Sequence, residues 1–155
     1  VQRVLVLGPP GAGKSTQARA LGQQYGLPVF HLDQFFHQPG WGAPKPEVFR
    51  AEVERLAQRT AWVIDGNFTG TLAPRLQRAD TIYLLEAPRW LSMIRVIKRV
   101  IVNYGQVRAD MPPGCPERFD FEFLRFAWGW NQIQRLEVMA AINGFHGKTI
   151  TLSAR

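Results

Sequence analysis

The sequence predicts an α/β fold built on a parallel sheet. Short apolar runs, too brief for helices, alternate with longer stretches of helical periodicity, and glycine or proline punctuates the junctions. The first apolar run also ends in a glycine-rich loop that opens onto a helix.

Taken in order, VLVLG (Val4–Gly8) reads as a buried strand and Lys14–Tyr25 as a helix closed by Gly26 and Pro28. PVFHLD (Pro28–Asp33) is a second strand. After a Pro/Gly-rich turn over Gln38–Pro46, PEVFRAEVERLAQR has proline at a helix start and apolar residues at helical spacing. Ala61–Asp65 and Thr81–Ala87 are the third and fourth strands. Pro88 opens a long helix to about Asn103, with Trp90, Ile94, Ile97 and Ile101 on one stripe. MPPGCP (Met111–Pro116) is a loop. A last helix spans about Asp120–Ile142, and KTITL forms a fifth strand. Phe119, Phe123, Phe126, Trp130 and Ile133 recur at 4-3-4-3 spacing, which is more typical of a core seam than of a base-stacking platform. Trp128 and Phe121 lie off that seam, free to face a lid or another subunit.

At 155 residues the chain suits one domain, residues 1–155, with a sizeable core. No apolar run approaches the roughly 18 residues of a membrane span. VLVLG stops at glycine too soon for a secretory signal. A single cysteine, Cys115, excludes an internal disulfide or a cysteine-cluster zinc site, and the expected setting is the reducing cytoplasm. The ends at Val1 and Arg155 suggest a missing initiator methionine and a trimmed tail. A net charge of +7 favours anionic partners. Arg89, Arg95, Lys98, Arg99 and Arg108 fall between Glu86 and Asp110 without an intervening acid. They form either a solvated basic face or a wall turned toward phosphates.

GPPGAGKST (Gly8–Thr16) contains G-x-x-x-x-G-K-[ST] in full, placed after a strand and at a helix start. Its glycines let successive N–H groups turn inward around an anion, and the helix N-terminus adds partial positive charge. Gly8, Pro9, Pro10, Gly11, Ala12, Gly13, Lys14, Ser15 and Thr16 are therefore the expected nucleotide-binding residues. Lys14 would reach the β- and γ-phosphates, and the Ser15 hydroxyl would ligate Mg²⁺. Asp65, at the end of WVI, is either the acid that supports magnesium through water or a turn-forming aspartate.

GPPGAGKST, DGN after the third strand, and the arginine-bearing helix after LLEAP resemble adenylate kinase and its relatives. WVIDGNF, LAPRLQRADTIYLLEAPRW, RVIKR and DMPPGCPERFDFEFLRF are more similar to the bacterial topology modulation proteins, adenylate-kinase-related P-loop proteins linked by name to DNA topology and flagellar expression. That resemblance runs along almost the whole chain. It implies a three-layer P-loop NTPase fold, nucleoside-monophosphate-kinase-like, with strand order 2-3-1-4-5 and ATP or a similar nucleotide in the loop. It also implies that Arg95 and Arg99, one helical turn apart, contact the transferring phosphates. Arg108 and Arg118 flank MPPGCP, where a lid over about 104–119 would carry closing arginines; ordinary surface charge is the alternative. The Asp-Gly-Phe-Pro-Arg run of adenylate kinases is here Asp65-Gly66-Asn67-Phe68-Thr69, with Arg75 as a substitute arginine from the next helix. The lone Cys115 departs from zinc-bearing lids, so no zinc is expected.

Asp33 ends the second strand, where ligands of parallel α/β sheets collect. LDQFF looks like the acid-bearing run of P-loop kinases that phosphorylate small hydroxylated substrates. Asp33 is then a general base or hydroxyl anchor, with Phe35, Phe36 and Trp41 as an apolar wall. The plainer reading is a helix-capping aspartate followed by core phenylalanines. Asp33, Phe36, Trp41, Asp65, Gly66, Asn67 and Arg75 make up the expected acceptor side, within a segment of about 33–60. His31, His37 and His146 lack metal-ligand spacing and are expected to be structural or surface residues.

The expectation is an ATP- and Mg²⁺-dependent phosphotransferase, with Lys14, Asp33, Arg95 and Arg99 as the catalytic set and a small-molecule or nucleotide acceptor. A nucleotide-dependent regulator acting on DNA or a protein, and a simple NTPase, are the alternatives. Nucleic acid is the less favoured partner because several basic residues point to the nucleotide site. No membrane partner is expected, and the oligomeric state is open.

Overall fold

Strand β1 (Arg3–Leu7) is the hydrophobic centre of the structure, a computed structural model that describes residues 1–153. The expected trimmed tail at Arg155 lies outside the described residues. Val4, Leu5, Val6 and Leu7 have no exposed surface, as a strand covered on both faces requires. β1 pairs in parallel with β3 (Trp62–Asp65) on one side and β4 (Thr81–Glu86) on the other, so that Val4 lies between Val63 and Thr81. β2 (Val29–His31) and β5 (Lys148–Ser153) flank them and complete an all-parallel sheet of order β2-β3-β1-β4-β5, the order expected.

Alternate strand residues feed two helical layers. Leu5, Ile64 and Ile82 pack with Phe49 and Val53 of α3 (Pro46–Ala57), Leu72 of α4 (Leu72–Arg78) and Val138 of α7 (Gln134–Ile142). Val4, Val6 and Val63 pack with Ala18 and Leu21 of α1 (Lys14–Tyr25). Each fully buried aliphatic side chain contributes about 1.5–3 kcal/mol. The carboxyl ends of β1, β2 and β3 therefore open on one edge, and the loops that leave them build the site.

Several elements differ from expectation. The second strand stops at His31, and Leu32–Phe36 form the short helix α2, which places Asp33 in a first turn rather than at a strand end. The helix α4 carries Pro74 in its first turn, where no N–H is needed. The expected final helix is two, α6 (Phe121–Gly129) and α7, and the chain turns between them at Trp130–Ile133. Gly129 weakens helix continuation there, and the turn lets Trp130 sink into the core at 2% exposure. Of the expected 4-3-4-3 seam only Trp130 is core; Phe119, Phe126 and Ile133 are exposed.

Helix α5 (Arg89–Asn103) has the expected extent but the opposite orientation from a core-facing stripe. Trp90, Ile94, Ile97 and Ile101 are exposed, while Ser92, Val96 and Val100 are buried. The helix is apolar on adjacent faces, so periodicity alone could not choose which one packs. Burying Ser92 and Val96 seats α5 directly on the loop after β1. No helix among the described residues is long and apolar enough to cross a membrane.

Candidate active site

The loop from β1 to α1 turns through Gly11 (φ 76°) and Gly13 (φ 91°), conformations that favour glycine. A Cβ on Gly11 would lie 2.6 Å from the Ser92 carbonyl, so α5 and the loop touch backbone to backbone. No side chain among the described residues caps α1, which leaves its first N–H groups available to an anion. Asn67 braces the start of the loop: the Gly8 N–H donates to its Oδ1 at 3.0 Å, and its Nδ2 donates to the Gly8 carbonyl at 2.7 Å.

Lys14 Nζ donates to the Pro9 carbonyl at 3.0 Å, folded back over the loop. Burial pushes its ammonium below the usual lysine value, against the opposing pull of Asp65 and Asp33. The Ser15 hydroxyl donates to Asp110 Oδ2 at 2.8 Å. Asp65 is buried, and His31 Nδ1 binds its Oδ2. The hydroxyl and carboxylates gathered here are hard oxygen donors of the kind a magnesium ion takes.

Asp33 faces the loop from α2, with 41% of its side chain open. His37, one turn on, places Nε2 3.6 Å from Asp33 Oδ1. Desolvation alone would raise the Asp33 carboxyl. The neighbouring His37, with the positive charges of Lys14 and Arg108, outweighs it and holds the carboxyl below the usual carboxylate value.

From α5, Arg95 donates to the Gly11 carbonyl at 3.4 Å and Arg99 Nε lies 3.3 Å from Glu117. Glu117 is buried and also pairs with Arg108, whose guanidinium lies 3.2 Å from Asp110. The segment between α5 and α6 is stitched across the site. The Gly40 N–H donates to the Gly114 carbonyl at 2.7 Å, Trp41 Nε1 to Pro116 at 3.0 Å, and Gln34 to Ala109 at 2.9 Å. The Cys115 thiol is buried against the Gln38 carbonyl.

The phosphate loop, Asp33, Asp65 and the arginines line one cleft of about 980 Å³. From the phosphate loop it takes Pro10, Gly11, Gly13, Lys14, Ser15 and Thr16; Asp33, Trp41, Asp65, Gly66 and Asn67 line it opposite, with Arg95, Arg99, Arg108 and Arg118 between. Gly8 and Pro9 are buried beneath the loop, and Ala12 faces a separate groove beside Leu152.

Two expected acceptor residues are elsewhere. Phe36 packs on Phe49 and Phe68, with centroids 5.1 and 5.0 Å away, rather than lining the cleft. Arg75 is fully buried, and its guanidinium donates to the carbonyls of Gly66, Asn67, Phe68 and Thr71. Burial lowers its pKa to about 9, so it stays charged at neutral pH. Its donors are consumed by the backbone. That backbone includes Phe68 at φ 32°, a strained conformation for a bulky residue that the guanidinium clamps in place. Trp41, also in the cleft, sits at φ 64°.

Sequence reasoning missed the His31 and His37 partners, the carboxylates Asp110 and Glu117, and Phe68 as a wall. It read Phe123 and Phe126 as core, whereas both line the cleft; Trp130 is core as expected and touches the cleft as well. The Asp33/His37 pair was findable from its i, i+4 spacing.

The sheet order and the loop after β1 define a P-loop protein of nucleoside-monophosphate-kinase-like fold. Its sequence relatives are adenylate kinases. That of Clavibacter michiganensis subsp. michiganensis is 30% identical over 107 residues, 67% of this chain and 52% of the relative. That of Moorella thermoacetica is 28% identical over 169 residues, 87% of this chain and 74% of the relative. The chain spans about half the length of the first of these relatives. No family model matches it. Shikimate kinase from Acinetobacter baumannii in complex with shikimate superposes with TM-score 0.61 and 21% identity, covering 100% of this chain and 86% of that one. A gluconokinase from Sinorhizobium meliloti gives 0.57 and 19%, covering 98% and 82%. At such identity these structures show a shared fold.

Proposed function

We propose that the chain is an ATP-dependent phosphotransferase acting on a small hydroxylated acceptor. One observation carries the reading: the phosphate loop with Lys14, and Asp33, line a single cleft together with Arg95 and Arg99. The adenylate kinase relatives and the kinase fold support it.

In this mechanism the loop N–H groups and Lys14 hold the β- and γ-phosphates of ATP. Ser15, and Asp65 through water, would hold magnesium, which neutralises charge on those phosphates when bound. Asp33 accepts the acceptor's hydroxyl proton as its oxygen bonds to the γ-phosphorus. The bond from that phosphorus to the β,γ-bridging oxygen breaks, and ADP leaves. Arg95 and Arg99 balance charge on the equatorial oxygens, a contribution worth about 10²–10³-fold per donor. Ser15, Arg99 and Arg108 are held toward the cleft by Asp110 and Glu117. The 104–119 segment then acts as a lid that brings in Arg108 and Arg118, and it excludes water.

Within P-loop kinases, WVIDGN and GCPERFDFEFLR resemble the topology modulation proteins, which supports reading the chain as a relative of theirs, and the single thiol suits the cytoplasm. A role on DNA is disfavoured because Lys14, Arg95, Arg99, Arg108 and Arg118 all line the cleft. Labelled ATP incubated with nucleosides, nucleotides and sugars tests the proposal. Transfer of label to one class is expected, and ATP binding without transfer to any of them would overturn it.

A further inference from the structure

Helix α5 carries two apolar faces where a surface helix of a monomer carries one. Ser92, Val96 and Val100 form the buried face, which seats the helix on the phosphate loop at Gly11. On the side turned away, Trp90, Ile94, Ile97, Ile101 and Tyr104 follow one another at 4-3-4-3 spacing. All five are exposed, from 37% at Ile97 to 63% at Ile101. Phe119, also exposed, extends the stripe with its ring 6.0 Å from that of Tyr104. None of the six lines the cleft. Six large side chains about half open present roughly 700 Å² together. The largest apolar patch of an ordinary monomer is about 300–600 Å².

Charge and spacing select the occupant. Most basic residues of α5 are engaged elsewhere: Arg95 and Arg99 line the cleft, and Arg89 lies over the Trp128 ring at 4.4 Å. Lys98 is left at the edge of the stripe, and residues 87–109 contain no carboxylate. One lysine is too little to hold an acidic partner or an anionic bilayer, for which clusters of about four to eight are usual. An uncharged helical seam is matched by another uncharged helical seam. The 4-3-4-3 spacing is the one at which side chains of two helices interlock. A second α5 offers both. Two such stripes would bury about 1,400 Å² in all, inside the range of about 1,200–2,000 Å² for stable interfaces.

We propose that α5 pairs with α5 of a second copy of the chain, in a symmetric dimer sealed by Trp90, Ile94, Ile97, Ile101 and Tyr104. The partner helix backs the helix that carries Arg95 and Arg99 but supplies nothing to the cleft. The dimer therefore stands apart from the phosphotransferase reading.

Sedimentation velocity of the chain from about 1 to 100 µM, without detergent, tests the pairing. The result expected is passage from monomer to dimer, with a dissociation constant of roughly 10 µM or tighter. Ile94→Glu and Ile101→Glu each place a carboxylate in the seam and should weaken the dimer by about 100-fold or more. Val48→Glu makes the same change at an exposed valine of α3 and should leave the dimer intact. Circular dichroism of all three variants should match the parent, because in the monomer these side chains face solvent. A parent that stays monomeric at about 100 µM would overturn the proposal. So would a dimer unchanged by both α5 variants, or one weakened equally by Val48→Glu. Co-sedimentation of a monomeric parent with phosphatidylcholine vesicles would assign the stripe to a bilayer surface and overturn it as well.

Discussion

The P-loop wall and the α6–α7 wall face each other across one cleft but are assembled in opposite ways. The first is a contiguous run, Gly8–Thr16, whose work is done by backbone N–H groups, one lysine and arginines from the neighbouring helix. The second gathers side chains from five separate segments, is acidic and aromatic, and depends on Arg75 clamping the 66–68 loop from beneath. Phosphate recognition needs charge and dipoles, which a short local motif supplies. Recognition of an acceptor needs shape, which only tertiary packing supplies. The difference teaches where substitution should change chemistry and where it should change stability.

The largest expected effect is on the first wall. Lys14→Met should cut transfer by about 10³-fold with little change in melting temperature. A variant within about tenfold of the parent would show that backbone alone suffices. On the second wall, Arg75→Met should leave the carbonyls of Gly66, Asn67 and Phe68 unpaired, with a loss of roughly 3 kcal/mol in denaturant unfolding. A raised acceptor KM at unchanged stability would instead return Arg75 to acceptor binding. Asn67→Ala joins the two walls. It removes both bonds to Gly8 and should weaken ATP binding about tenfold, read by calorimetry.

The smallest effect is a displacement in pH. Asp33 is held below its ordinary value, so the parent keeps its rate as pH falls and loses it only through that lowered pKa. His37→Gln removes the main lowering group while burial remains. The acid limb of kcat/KM should therefore move to higher pH. An unmoved limb would remove His37 from Asp33's environment.

The same contrast decides what was legible in the sequence. The phosphate loop, the sheet and the Arg95/Arg99 spacing could be read because each is local, and the strand order came with the family resemblance. α5 showed its apolar stripe, but its packed face was set by contact of Ser92 and Val96 with Gly11, far away in sequence. His31 and Asp65 are 34 residues apart and meet only because β2 and β3 are neighbours in register. Trp130 looked like one more seam residue. Its place in the cleft follows from the turn after Gly129, which interrupts a periodicity that otherwise reads as one helix.

The division of labour between the walls is tested most directly by Asp33→Asn, with ADP formation followed with and without acceptor and ATP-analogue affinity measured alongside. The expected result is analogue affinity within about twofold of the parent and acceptor-stimulated ADP formation lower by about 10²–10⁴-fold. Stimulated ADP formation at the parental rate would contradict the account, and so would analogue affinity falling in parallel with the rate.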